Sequence, residues 1–224
     1  MPIVALLSAS RDAIIVFHGV RMLILKEAIA LVSTPPGSFV YHIVGLFALE
    51  AALAMALGQH RRDRDSGAGR LALAAGLALL LRLLLALLAG LGAASVVDDD
   101  TLLPPLDRAA SLATVLILGW ALLAKHGETL ADAVMSGALI VVAVGAVVAL
   151  VLWQPVGALG IDFNNTPHDL LWAAPQVGVL LALLALLIWR RTEGWGMALG
   201  FFVLPLLATL VHLGFALRSP VLTG

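Results

Sequence analysis

The sequence predicts an all-α, polytopic integral membrane bundle. It has about six transmembrane helices, preceded by an N-terminal interfacial or additional spanning helix. Three observations carry this reading. Of the 224 residues, 62% are hydrophobic and only 12% charged, and the mean hydropathy is +1.07, values that belong to the membrane class. The apolar runs reach the ~20 residues a helix needs to cross the hydrocarbon, and short polar loops separate them. The ten-residue alternating segments of an outer-membrane barrel are missing from the pattern. A net charge of -1 argues against a nucleic-acid partner. Without cysteine there is neither a disulfide framework nor a thiolate metal site.

Residues 1–36 read as a first segment with its own character. A cap near Ser8 or Ser10 opens a helix that runs to about Val32 and stops at Pro35-Pro36-Gly37. Arg11, Asp12, His18, Arg21, Lys26 and Glu27 spread over a broad arc of this helix. That suits an interfacial helix lying on the membrane, with a tilted, protein-shielded span as the alternative.

Residues 37–224 form the bundle. Its spans are expected at about 38–58, 71–94, 106–124, 130–153, 169–189 and 195–217, the third starting after the breaker Pro104-Pro105. Arg61, Arg62, Arg64 and Arg70 lie between the first two spans, Lys125 follows the third, and Arg190 and Arg191 follow the fifth. The intervening loops are acidic (Asp98, Asp99, Asp100) or nearly free of Lys and Arg (QPVGALGIDFNNTPHD). The excess of positive charge assigns the Arg-rich loops to the cytoplasm and the acidic and Asn-rich loops to the outside. This places the C-terminus outside, so a cytoplasmic relay would need a further span past Gly224 or a partner chain.

Three constellations are candidates for ligand binding. Glu50 and Arg82 stand at mid-bilayer depth on consecutive spans, about 13 Å and 18 Å from the cytoplasmic ends of their helices. Opposite charges at that depth are costly unless they meet each other or a wet cavity, so an ion pair between them is expected, with a proton relay as the functional alternative. His42, His168 and His212 map to the outer boundary of the first, fifth and sixth spans; they form a weak metal-ligand set or axial ligands for haem. His168, Trp172 and Gln176 recur every four residues on one helical face, which suggests an outward polar groove between spans one, five and six. Asp162, Asn164, Asn165 and Trp153 would form its lid. No Gly-x-Ser-x-Gly elbow, His-Glu-x-x-His motif or phosphate loop is found in the sequence, so no catalytic residue is assigned and a non-enzymatic protein is expected.

The runs STPPGSFVYHIVGLFALEAALAMALGQHRR, TLLPPLDRAASLATVLILGWALLA and DFNNTPHDLLWAAPQVGVLLALLALLIWRR resemble the N-terminal multi-span membrane modules of sensor histidine kinases from Chloroflexus-like bacteria. The resemblance implies a sensory or anchoring module in the bacterial cytoplasmic (inner) membrane. Such a module perceives an outer-side or membrane-soluble cue and relays it by helix movement to a kinase domain in cis or on a partner chain, with a homodimer as a further form. It implies no cofactor and carries no catalytic residue, because kinase motifs belong to domains outside this chain. The alternatives are a small subunit of a respiratory or photosynthetic complex that binds haem, quinone or pigment, and a small transporter using Glu50 and Arg82.

Overall fold

The computed structural model describes residues 37–63, 66–124, 128–161, 163–164, 166–191 and 195–216. The expected helix over residues 1–36 lies outside the described residues. Those described form six helices and no strands: α1 (Gly37–Asp63), α2 (Ser66–Ala93), α3 (Asp99–Leu123), α4 (Thr129–Gly157), α5 (Pro167–Arg190) and α6 (Trp195–Ala216). The protein is an all-α helical bundle. Among the described residues, four stretches are long and apolar enough to cross a membrane: Gly67–Gly92, Thr101–Leu123, Thr129–Gly157 and Pro167–Arg190. At helical rise even the shortest spans about 34 Å, more than the hydrocarbon core. Ala198–Gly214 in α6 is a shorter apolar run.

The chain divides into two compact units, Met1–Phe47 and Ala48–Gly224. In the first, the described part is the helical opening of α1 from Gly37. The second holds the rest of α1 and the five other helices, and is organised around α3. This helix packs against α2, α4 and α5, while α6 packs on α5. Half of the apolar window of α3 is buried, whereas α4 buries Val142, Ala146 and Trp153 and exposes most of its other apolar side chains; α3 is therefore the axis and α4 offers most of its apolar surface outward.

Small side chains allow this packing. Ala74 is fully buried against Ile117 and Ala121 of α3, and Gly119 leaves room for Leu183 of α5. Such residues let backbones approach where no water is present to drive the helices together. Two larger clusters fill the remaining seams. One joins Ala109, Leu112 and Ala113 of α3 to Val142, Ala146 and Trp153 of α4, with Phe163 and Trp172. The other joins Val115 and Leu123 to Leu180, Leu184 and Leu187 of α5 and Phe202 and Leu206 of α6.

The helix ends follow local chemistry. Helix α2 closes with Ser95 in the left-handed region (φ 58°); Ser95 N donates to Gly92 O and Val96 N to Leu91 O, the bond pattern of a Schellman cap. Helix α5 opens with Thr166 as N-cap, its side chain accepting from Asp169 N, and Pro167 following in the first turn, a residue whose missing N–H costs nothing there. One expected boundary is corrected. Pro104 and Pro105 do not precede the third span but lie within α3, which starts at Asp99. They fall in its second turn, where two missing donors shorten the hydrogen-bond ladder near its beginning without ending the helix.

Candidate functional site

The strongest polar constellation lies where the N-terminal halves of α3 and α5 meet the C-terminal half of α6. Asp169, in the first turn of α5, is completely buried. Its Oδ1 accepts from Arg108 Nε at 2.9 Å, and its Oδ2 is hydrogen-bonded to His212 Nε2. Arg108 Nη2 donates to Asn164 Oδ1 in the α4–α5 loop at 3.1 Å and lies 3.3 Å from His212 Nε2. One imidazole nitrogen cannot donate to a carboxylate and accept from a guanidinium at once. With Asp169 ionised beside Arg108, His212 Nε2 carries the proton and donates, and its approach to Arg108 is proximity rather than a bond. A buried carboxylate is stable only when paired and hydrogen-bonded; here Arg108 of α3 and His212 of α6 supply partners.

The Thr166 cap positions this carboxylate. Thr166 Oγ1 donates to Phe163 O at 2.6 Å and accepts from Asp169 N at 3.4 Å, fixing the loop to the first turn of α5. The turn places an acidic group where the helix dipole favours it.

A second ion pair corrects the expected union of Glu50 with Arg82. Arg82 Nη1 donates to Asp107 Oδ1 at 2.8 Å and Nη2 to Ser111 Oγ at 3.0 Å, whereas Glu50 is exposed. The reason is helical spacing. Asp107 and Ser111 are four residues apart on the α3 face turned to α2, so one guanidinium fork spans both. Arg108, about 100° further round the helix, points to α5 instead. Adjacent residues of α3 thus serve two different neighbours.

The groove expected between spans one, five and six also takes another form. The His168 ring meets Trp153 of α4 edge-on at 5.6 Å between centroids, and Trp172 is buried with Ala109, Val142 and Ala146 of α3 and α4. Only Gln176 of that trio turns to α6, donating to Thr209 Oγ1 at 3.3 Å. Each four-residue step advances about 40° around a helix, so three such residues drift from one neighbour to the next. Trp153 is no lid: it is 1% exposed and packs edge-on against Phe163. Asp162, Asn165 and the side chain of His42 lie outside the described residues. His168 and His212 meet different neighbours, and among the described residues no three His, Asp or Glu side chains gather as a metal site.

At the opposite end of the bundle, Arg190 of α5 donates through Nη1 to Leu123 O at 2.8 Å and through Nη2 to Glu128 Oε1 at 3.4 Å. Leu123 ends α3, so the guanidinium satisfies a carbonyl that the helix leaves open. Helices α3 and α5 are therefore fastened by an arginine at each end. Sequence reasoning missed Asp107, Arg108 and Asp169, which stand at the edges of apolar runs and pass for boundary residues. The signal was the Asp107-Arg108 pair inside a helix otherwise apolar for three turns beyond it. Comparison of the chain with family models, with curated proteins and with solved structures finds no match.

Proposed function

We propose that this protein is a membrane-embedded sensory or anchoring module of a signal-transduction system. It sits in a bacterial cytoplasmic membrane with its Arg-rich loops inside. It responds at its outer end and relays the response by helix movement to a cytoplasmic kinase, in cis or on a partner chain. One observation carries the reading: the Arg108–Asp169–His212–Asn164 network joins three helices and a loop at the end that charge counting assigns to the outside. An event that alters one member changes the restraint on all three helices. The second fastening, Arg190 on the end of α3, gives α3 and α5 a fixed relation at the inner end through which a shift at the outer end is passed on. Transport through Glu50 and Arg82 is less favoured, because Arg82 is engaged by Asp107 and Ser111.

The test exploits the absence of cysteine. Spin labels on Thr129→Cys and Trp189→Cys report the inner ends of α4 and α5, and the distance between them is measured in nanodiscs with and without His212→Gln. A shift in the inner-end distance on breaking the outer network supports the relay. An unchanged distance, with the fold intact, leaves an anchor and removes the sensory reading.

A further inference from the structure

Two buried nitrogens stand apart from every network above. Trp172 is 6% exposed, yet among the described residues its Nε1 has no hydrogen-bond partner, and neither has the buried Nδ1 of His168. An indole N–H only donates, and an imidazole Nδ1 donates in one tautomer. Leaving two such groups unmet in an apolar seam is costly. The two residues are one turn apart on α5, so the groups rise about 6 Å along a single face. Trp172 is buried in an apolar cluster with Ala109 and Ala113 of α3 and Ala146 of α4, with Gly145 near the edge of its ring far from Nε1, while the His168 ring meets Trp153 edge-on.

We propose that His168 and Trp172 form a binding site for an uncharged, membrane-soluble molecule bearing carbonyl oxygens. The chemistry needed is that of an uncharged acceptor for the indole N–H, which also accepts from His168 when its Nδ1 carries the proton. An anion is disfavoured because Arg108 is already committed to Asp169 and Asn164, and Arg82 to Asp107. His168 is partly exposed and Trp172 is not, so a ligand enters past the imidazole and reaches the indole one turn deeper. Two sources supply this chemistry: the head of a membrane quinone, and the ester carbonyls of a bilayer lipid. The site does not depend on the sensory reading, since a bound carbonyl compound is equally compatible with an anchor.

The experiment follows the Trp172 indole ¹H–¹⁵N resonance of the full chain, assigned by its loss in Trp172→Phe, in three environments. These are nanodiscs of ether-linked lipid, which has no carbonyl; the same with added decylubiquinone; and nanodiscs of the ester-linked lipid with the same headgroup. A downfield shift that saturates with decylubiquinone identifies the quinone class. A shift on passing from ether to ester lipid identifies the lipid. In the quinone case, His168→Phe weakens binding about tenfold, the scale of one lost hydrogen bond, while Trp189→Phe, at an exposed position, leaves it unchanged. The same resonance in all three environments means that water alone serves the indole, and overturns the proposal. Because the decisive comparison uses the unmodified protein, a variant that fails to fold does not obscure it. The inner-end distance measurement remains a separate test of signalling.

Discussion

At the residue scale the molecule depends on a few polar groups whose neighbours leave them little freedom. Asp169 is fully buried and is served by Arg108 and His212. Arg108→Gln removes the charged partner of a carboxylate that has no access to water, and is expected to cost about 3 kcal/mol, read as a lower thermal midpoint in detergent or nanodiscs. Combined with His212→Gln, the loss should be less than the sum of the two single losses, because both act on one carboxylate. Gly157 supplies a different kind of constraint. A Cβ there would stand 2.9 Å from Trp153 Nε1 and 3.0 Å from Thr101 Cγ2, and Trp153 is too enclosed to yield. Gly157→Ala is expected to destabilise by about 1–3 kcal/mol and to shift the tryptophan near-UV circular dichroism; an unchanged spectrum and midpoint would contradict this packing. Ser95 works in the opposite sense. It holds a left-handed conformation that glycine adopts without strain, so Ser95→Gly should raise stability by about 1 kcal/mol, seen as a higher thermal midpoint.

At the scale of the helices, the apolar runs made every element of the bundle legible, since ~20-residue hydrophobic stretches admit little else. Which faces meet was not legible. Leu and Ala dominate the spans, and a helix that is apolar all round has no stripe to mark its inner side. The pairing of Arg82 was misread for this reason: depth alone suggested Glu50, but Asp107 and Ser111 of α3 present the fork-shaped acceptor pair. The proline pair was misread because a breaker rule suited to helix interiors does not hold in an early turn. The outer histidines stand out in the sequence, and His212 does belong to the principal network, but the carboxylate it serves reads in the sequence as a boundary residue. A testable element-scale consequence concerns Arg190, which caps the last turn of α3. Arg190→Gln should cost about 1–2 kcal/mol and accelerate hydrogen exchange around Leu123, while leaving the Asp169 end of α5 protected.

At the scale of the whole molecule, the network and the arginine cap occupy opposite ends of the α3–α5 pair, so the orientation of the protein decides which end a cue can reach. Charge counting gives a clear expectation. Leu159, in the α4–α5 loop, and Thr129, at the start of α4, are both exposed. In intact cells a membrane-impermeant maleimide should label Leu159→Cys and spare Thr129→Cys until the membrane is permeabilised, with no background from native thiols. The reverse pattern would place the Arg-rich loops outside and invert the proposed direction of signalling.

The buried carboxylate also imposes an order on biosynthesis. Arg108, Asn164 and Asp169 leave the ribosome before His212, which is carried by the last described helix. During synthesis the carboxylate can therefore gain its guanidinium as soon as α5 settles beside α3, but it must wait for α6 before the imidazole arrives. An incompletely inserted chain holds a carboxyl group within the membrane with part of its network missing, a state that membrane proteases and insertion chaperones are suited to recognise. Arrival of His212 thus completes the Arg108–Asp169–His212 network, and variants at this position should reveal themselves first as shortened lifetime in the cell, ahead of any change in the mature protein.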